Sequence, residues 1–203
     1  MSSRSLTPAQ ALQKLKQGNA EYAAGRGSGN QADDSHLRKE FADKQEPFAV
    51  VISCSDSRVP SERVFNLALG DLFIVRNAGN TVVDTASLGS VQYAVAVLGV
   101  PLVLVMGHER CGAVRAATDV VTNNVSFPGS IGRMIEPILP SVLRVREQDG
   151  DLVENAVREN VRRMVAFLRT DPIIAEPLKS RSVIVVGARF DLDDGVVEFL
   201  EEA

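Results

Sequence analysis

The stretch that decides the fold is FAVVISCSDSR, residues 48–58. Its first five residues are all apolar, and a short run without polar alternation is typical of a strand that is buried on both faces. The run ends at Ser53, and the polar residues that follow include the first of only two cysteines in the chain. We therefore predict a buried strand with Cys54 directly after it.

Three further apolar runs follow the same pattern, at residues 72–75, 101–106 and 182–186. Stretches with helical spacing of apolar residues lie between them, at 84–98, 112–121 and 152–168. Strands that alternate with helices predict a mostly parallel α/β sheet flanked by helices. Asp193-Asp194-Gly195 is a turn signal between short apolar stretches, which predicts an antiparallel edge strand. The predicted sheet therefore has about four parallel strands and one antiparallel edge strand.

The N-terminal part is predicted to be helical. Thr7-Pro8 is a typical helix start and Gly25 a typical stop, so we predict a helix from Pro8 to Ala24. Residues 25–34 are polar and turn-rich, as in a linker, and a shorter helix is predicted from Ser35 to Lys44. We interpret residues 1–45 as an N-terminal helical arm within one domain that spans residues 1–203.

Composition excludes several classes of function. A chain of 203 residues with 45% hydrophobic and 24% charged residues is typical of one soluble globular domain. The net charge of −4 argues against a nucleic-acid partner. No apolar run approaches the ~20 residues of a membrane span, and no apolar signal core follows the first residues. We therefore expect a cytoplasmic protein with neither nucleic-acid nor membrane partners.

Both cysteines and one of the two histidines follow predicted strands. Cys54 follows the first strand, and His108 and Cys111 follow the third, in the stretch GHERCG at 107–112. Ligands bind beyond the carboxyl ends of the strands in open α/β sheets. These three side chains are therefore candidates for a functional site.

Three interpretations of these residues are open. Free cysteines are usually small buried hydrophobic residues, but polar neighbours surround both of these. A thiolate nucleophile paired with Arg58 matches the cysteine phosphatase loop poorly, because three residues rather than five separate Cys54 from Arg58 and Asp56 would repel a phosphate. Two thiolates and one imidazole suit zinc and leave a fourth position for catalysis.

Asp56 and Arg58 are candidates for supporting roles at such a site. On an extended segment they point to the same side as Cys54. Asp56 could ligate zinc, or accept a proton or a hydrogen bond from a zinc-bound water molecule. Arg58 could hold this carboxylate in a bidentate pair and keep it off the metal. A surface ion pair of little energetic value is the alternative.

At these residues the sequence resembles the β-class carbonic anhydrases. The signature of that family is Cys-x-Asp-x-Arg, followed later in the chain by His-x-x-Cys. The corresponding stretches here are CSDSR at 54–58 and HERC at 108–111. GDLFIVRNAGN at 70–80 and VGARFDL at 186–192 also resemble the family, and the resemblance extends from about Leu6 to Leu200.

The resemblance implies a zinc-dependent carbonic anhydrase. By resemblance, Cys54, His108 and Cys111 bind Zn²⁺, and Asp56 and Arg58 form a catalytic dyad that orients or deprotonates the zinc-bound water. The implied reaction is the reversible hydration of carbon dioxide to bicarbonate and a proton by zinc-bound hydroxide. Asp56 is also a possible fourth zinc ligand in a closed state of the site.

The resemblance also implies a substrate pocket and a partner. Gln45 would donate a hydrogen bond to bicarbonate, Phe73 and Tyr93 would form apolar walls, and the Gly112 amide would add a donor. In this family the walls come from a neighbouring subunit and the helical arm packs across it. We therefore expect a homodimer or a larger homo-oligomer, with a tetramer favoured.

Two alternatives remain open at this point. Relatives with this fold hydrolyse carbon disulfide or carbonyl sulfide with the same zinc ligands, and sequence separates these substrates poorly. A non-catalytic structural zinc protein is less favoured, because such a site would need neither Arg58 nor Gln45. The inhibitory bicarbonate pocket of one family branch is matched at Arg76 and Tyr93, but its tryptophan position falls on Val51.

Overall fold

The computed structural model describes residues 6–27 and 35–201. In this part of the chain five strands form one sheet: β1 (Ala49–Cys54), β2 (Leu72–Asn77), β3 (Leu102–His108), β4 (Ile184–Phe190) and β5 (Val197–Glu201). Their order across the sheet is β2-β1-β3-β4-β5. The β4–β5 pair is antiparallel and the other neighbouring pairs are parallel. This confirms the predicted α/β class, with four parallel strands and one antiparallel edge strand.

Helices connect the strands and cover the sheet. They are α1 (Pro8–Ala23), α2 (Ser35–Glu40), α3 (Ser61–Val64), α4 (Thr85–Ala96), α5 (Gly112–Asn123), α6 (Ser130–Ile135), α7 (Leu139–Val145), α8 (Leu152–Thr170) and α9 (Pro172–Lys179), with a 3₁₀ turn at Glu136–Ile138. None of these helices combines the length and the apolar character that a membrane span requires.

Apolar side chains cover both faces of the sheet. In β1, Val50 and Ile52 pack in the core under α4, α8 and α9, whereas Ala49 and Val51 pack in the core under α1 and α3. A residue of β1 is therefore buried whichever face it points to. This is why the strand has a continuous apolar run rather than an alternating one.

The strands extend further toward their carboxyl ends than the apolar runs predicted. Main-chain pairing does not depend on side-chain polarity, so the ladder continues through residues that end the apolar pattern. Cys54 is paired with Asn77, and His108 with Phe190. Cys54 and His108 are therefore the last residues of β1 and β3 rather than residues that follow them.

The start of α1 is set by a capping box, which confirms the predicted start at Pro8. The Gln10 amide donates to the Thr7 hydroxyl over 3.3 Å, and the Thr7 amide donates to the Gln10 side chain over 2.9 Å. These reciprocal bonds satisfy main-chain donors that the first turn would leave free. The helix ends at Ala23, one residue before the predicted end.

Helix α1 packs on its own chain, and whether it also lies across a partner, as the family resemblance implies, stays a prediction. Ala11 and Leu15 are fully buried in the core of the same chain. Asn19 is buried as well: it donates to the carbonyls of Val64 and Gly195 and accepts from a main-chain amide of β5. The apolar stripe and the buried amide are thus satisfied within one chain.

Helix α2 is shorter than predicted and ends at Glu40 rather than Lys44. None of its residues is buried, so no packing supports further turns. Of the predicted linker at 25–34, residues 28–34 lie outside the described part of the chain. Whether residues 1–45 act as an arm therefore stays a prediction.

Candidate active site

Three metal-ligand side chains meet at the carboxyl edge of the sheet. Cys54 ends β1 and His108 ends β3, and these strands are neighbours. Cys111 follows three residues after His108. One ligand atom from each of the three residues lies within 4.8 Å of the other two, and the two sulfurs are 4.0 Å apart. All three side chains are buried.

A left-handed turn, rather than a helix, brings His108 and Cys111 together. Arg110 has φ of +52°, and α5 begins only at Gly112, with Cys111 as its N-cap. The two ligands therefore do not lie on one helical face. The chain turns sharply because a strand end and a helix start must join within three residues.

The His108 ring is oriented by its own neighbour. Its Nδ1 lies 2.9 Å from the carbonyl oxygen of Glu109, so a proton on Nδ1 donates to that carbonyl. The other nitrogen, Nε2, is buried and has no hydrogen-bond partner among the described residues. A buried nitrogen without a partner is costly, and a metal ion next to the two thiols would remove that cost. The residues present therefore fit a zinc ion.

The pKa values of the two thiols are shifted in opposite directions. Hydrogen bonding from Cys111 is the main cause that lowers the pKa of Cys54 to about 4, and it outweighs burial, which raises that pKa. The contact with Cys54, together with burial, raises the pKa of Cys111. Two adjacent buried thiolates repel each other, so a bound cation is what would allow both to ionise.

Asp56 and Arg58 form the two-pronged pair that the sequence suggested. Arg58 Nε and Nη2 lie 2.9 and 2.8 Å from the two oxygens of Asp56, and the Arg58 amide donates to the same carboxylate. The Arg58 side chain is the main cause that holds the pKa of Asp56 well below its usual range. The carboxylate is therefore ionised at neutral pH. Asp56 Oδ2 also lies 3.9 Å from His108 Nε2.

Sequence reasoning missed the positioning contacts of Arg76. Its Nε donates to the Cys54 carbonyl over 3.0 Å, and its Nη2 donates to the Asp56 carbonyl over 2.8 Å. These bonds hold the main chain of the segment that carries both side chains. A charged residue directly after the apolar run of β2 was the available signal, and the family resemblance connects it only with a bicarbonate pocket.

The charges in HERC are paired with the loop between β4 and β5. Arg110 donates to both oxygens of Asp193 over 2.9 and 2.6 Å and to Glu109 over 3.1 Å. Arg110 and Arg58 both border a surface cleft of about 450 Å³. Tyr22, Ala23, Phe190 and residues of the same loop complete its lining. The ion pair between Arg110 and Asp193 thus connects the turn that carries His108 and Cys111 to the β4–β5 loop.

Most of the predicted substrate pocket lies at the other end of the sheet. Gln45 is exposed and precedes β1, whereas Cys54 ends that strand. Phe73 is at the start of β2, and its ring centroid is 6.2 Å from that of Tyr93 on α4. A six-residue strand spans roughly 20 Å, so these three side chains do not meet the cysteines of their own chain. Gly112 alone adjoins the cluster, at the first turn of α5.

Comparisons with known proteins agree with one another. The family model described as "Carbonic anhydrase" matches residues 49–197. "Carbonic anhydrase 2" of Mycobacterium tuberculosis is 40% identical over 189 residues, which cover 93% of this chain and 90% of that protein. One of two tetrameric β-carbonic anhydrases from Sordaria macrospora has a TM-score of 0.75 at 27% identity, covering 92% of this chain and 94% of the other. A Coccomyxa β-carbonic anhydrase bound to acetazolamide has a TM-score of 0.73 at 25% identity, covering 94% of this chain and 86% of the other.

Proposed function

This chain belongs to the β-class carbonic anhydrases, and on that premise we propose that it hydrates carbon dioxide at a zinc ion held by Cys54, His108 and Cys111. The observation that carries this proposal is the buried Nε2 of His108, which lies beside two thiols and has no hydrogen-bond partner in the described part of the chain. Zinc in a site with two thiolates and one imidazole supplies Lewis acidity, which makes hydroxide available from water near neutral pH.

Asp56 is proposed to orient the reacting water rather than to hold its proton. A general base works best when its pKa is near the working pH, whereas Arg58 keeps the pKa of Asp56 far below it. An ionised carboxylate accepts a hydrogen bond, and Asp56 Oδ2 is close to the ligand cluster. We infer that Asp56 directs a lone pair of the water toward the carbon atom, and that Arg58 keeps Asp56 from ligating zinc itself.

The substrate pocket is proposed to need two chains. Gln45, Phe73 and Tyr93 lie at the amino end of the sheet, away from their own chain's ligands. Tyr93 is 46% exposed, as expected of a side chain that a partner would cover. In the proposed pocket, the rings of one chain face the cluster of another, and Gln45 donates to bicarbonate there together with the Gly112 amide. The β-carbonic anhydrase from Sordaria macrospora compared above is tetrameric, which supports a homo-oligomer.

Cysteine ligands favour a reducing compartment, which supports a cytoplasmic location. The alternative substrates, carbon disulfide and carbonyl sulfide, gain no support, because the named relatives are carbonic anhydrases. A structural zinc protein gains none either. Such a site uses four protein ligands, whereas the fourth group in reach, Asp56, is held by Arg58.

The proposed function is tested by stopped-flow hydration of carbon dioxide with zinc-loaded protein, between about pH 6.5 and pH 9. We expect activity that depends on zinc and is lost in Cys54→Ala and His108→Ala, with zinc content measured for each protein. Activity already high at neutral pH would support an Asp56 held by Arg58. No activity at any pH with zinc bound would refute the proposal.

The two-chain pocket is tested by mixing inactive variants. Cys54→Ala removes a zinc ligand and Gln45→Ala removes the donor at the other end of the sheet. In a mixed oligomer each site takes its zinc ligands from one chain and Gln45 from the other. One site would therefore contain both substitutions and another site neither, so activity should reappear. Mixing Cys54→Ala with His108→Ala is the matched control and should restore nothing. No recovery in the first mixture, with subunit exchange verified by mass spectrometry, would refute a shared pocket.

A further inference from the structure

A line of buried polar groups leads from α7 and α8 to the sulfur of Cys54. We propose that Asn160 of α8 is a positioning residue for the metal centre, because it fixes the Gly79 main chain that hydrogen-bonds to this sulfur. The inference rests on the proposed function, in which Cys54 is a zinc ligand. It concerns a residue that lies far from the ligands in sequence.

Two hydrogen bonds connect Asn160 to Cys54 through Gly79. Asn160 Nδ2 donates to the Gly79 carbonyl over 2.9 Å, and the Gly79 amide donates to the Cys54 sulfur over 3.4 Å. The Asn160 side chain has no exposed surface. A buried amide is costly unless it is hydrogen-bonded. Its position among apolar residues of α8 is therefore explained by what it binds.

Gly79 needs an external support because glycine has little conformational preference of its own. Its φ of +86° lies in the left-handed region. A Cβ there would come within 2.5 Å of Ile138 Cδ1 and 3.2 Å of Ala113 Cβ, so a side chain would not fit without movement. The loop can approach the sulfur only as glycine, and the Asn160 amide then restrains the direction of its peptide groups.

Further contacts hold Asn160 itself. Its Oδ1 accepts from the buried Ser141 hydroxyl over 3.4 Å. Arg163 Nη1 donates to the Ser141 oxygen and to the Pro137 carbonyl, each over 3.0 Å. Helices α7 and α8 thus fix the side chain from the side opposite Gly79. Both ends of the Asn160 amide are used, which leaves one orientation that satisfies all partners.

The expected consequence of Asn160 is a better-placed thiolate ligand. An N–H group that donates to a ligating sulfur sets its direction and draws charge from it, and groups around first ligands typically change metal affinity 10- to 100-fold. Without Asn160, the Gly79 carbonyl would be buried without this partner, and the peptide between Gly79 and Asn80 would turn to find another. Because glycine has little conformational preference, this turn would also change the direction of the Gly79 amide. The bond to Cys54 would then weaken.

The test uses two variants and one control. Asn160→Asp keeps the shape but replaces the donor, and Asn160→Leu keeps a similar volume without hydrogen bonds. Thr118→Val is the control, because Thr118 is a buried hydroxyl whose bond to the Val114 carbonyl stays within α5. Zinc affinity is measured by competition with a chelator. The thiolate-to-metal absorption band is measured after loading with Co²⁺.

We expect zinc affinity to fall about 10- to 100-fold in both Asn160 variants, with a shifted cobalt band. Thr118→Val should keep the affinity and the band of the wild type, whatever it loses in stability. Folded Asn160 variants with wild-type affinity and band would overturn the inference. If neither variant folds, Ser141→Ala decides: a smaller shift in the same direction supports the role, and no shift overturns it.

The experiment separates this inference from the proposed function. A wild-type protein that shows no thiolate band with Co²⁺ and binds no zinc would refute the metal centre itself, and the role of Asn160 with it. A wild-type protein with both properties, whose Asn160 variants are unchanged, would leave the metal centre standing and refute the role of Asn160 alone.

Discussion

The carboxylate of Asp56 is bound at both oxygens by the guanidinium of Arg58, over 2.9 and 2.8 Å, and one of those oxygens lies 3.9 Å from His108 Nε2. Asp56 thus lies between the Arg58 guanidinium, which binds it, and the three candidate metal ligands, whose metal ion it could also ligate. In the proposed mechanism, Arg58 decides which of the two interactions the carboxylate makes.

Arg58→Ala should therefore lower carbon dioxide hydration by about 100-fold, a typical cost of losing the correct position of a group that orients a reactant. Without Arg58, the pKa of Asp56 rises toward its ordinary value of about 4. The carboxylate remains ionised at neutral pH and is free to move toward the ligand cluster. The Co²⁺ spectrum should then show an added ligand.

The matched control for this variant is Arg146→Ala, which removes an exposed arginine paired with its neighbour Glu147. It should leave activity and spectrum unchanged. If Arg58→Ala hydrates carbon dioxide as fast as the wild type, the proposed separation of Asp56 from the metal is wrong.

Thiol reactivity should report the state of the metal site directly, because the chain has two cysteines and both are in the cluster. With zinc bound, a thiol reagent should modify neither cysteine in the native protein. After removal of zinc by a chelator, activity should be lost and Cys54, whose pKa is lowered, should become reactive, whereas Cys111, whose pKa is raised, should react more slowly. Re-addition of zinc should reverse both changes. Equal reactivity before and after chelation would contradict zinc binding by these thiolates.

Two glycine substitutions should have opposite effects on stability. In Gly18→Ala, the new Cβ would collide with the Phe65 carbonyl under α1, and such overpacking costs typically 1–3 kcal/mol. In Gly89→Ala, on α4, the new Cβ would have no atom of the described residues within 4 Å, apart from its chain neighbours and the main chain of its own helix. That change should stabilise the helix by about 0.5–1 kcal/mol. The free energy of unfolding in urea measures both.

This comparison also tests where α1 packs. If α1 lay on a partner rather than on its own chain, the collision with Phe65 would not occur, and the two variants would not differ in sign. A loss of stability in Gly89→Ala would instead indicate that a partner covers this part of α4.

The ion pair between α8 and β5 should make a pH-dependent contribution to stability. The Arg158 side chain, which donates to both oxygens of Glu198 over 2.8 and 2.6 Å, is the main cause that lowers the pKa of Glu198. A carboxyl group with a lowered pKa stabilises the fold above its ordinary value, about 4.3 for glutamate. That contribution disappears as the pH falls through the pKa of the folded state.

Glu198→Gln should therefore cost less than about 1 kcal/mol at neutral pH, since the pair is partly exposed. The difference from the wild type should shrink as the pH falls below about 4. Paired urea unfolding curves at each pH measure it, because effects common to both proteins cancel. A difference that grows toward acid pH would contradict this assignment.

The strands were predictable because their signal is local. A strand buried on both faces must be apolar throughout, so the run at Ala49–Ile52 was sufficient to indicate β1, and the Asp193-Asp194-Gly195 turn to indicate β5. The strand ends were not predictable in the same way. Cys54 and His108 continue their strands through main-chain pairing with Asn77 and Phe190, and that pairing has no side-chain pattern.

The ligand set could be predicted from sequence, because two cysteines and a histidine at strand ends are the residue types that bind zinc and the chain has few of them. Their convergence was decided by the strand order, which places β1 beside β3, and by the left-handed turn at Arg110. The docking of α1 through Asn19 and the separation of Gln45 from Cys54 likewise depend on which elements become neighbours.

What the sequence by itself determined is the α/β class, the identity of the candidate ligands and the pairing partner of Asp56, because burial, residue chemistry and a two-residue spacing are all local properties. Only the tertiary structure decided that Arg76 holds the Cys54 segment and that Asn160 reaches Gly79 across 81 positions of the chain. Hydrogen bonds between residues so far apart depend on the packing of whole helices against the sheet. No local pattern of residues encodes that packing.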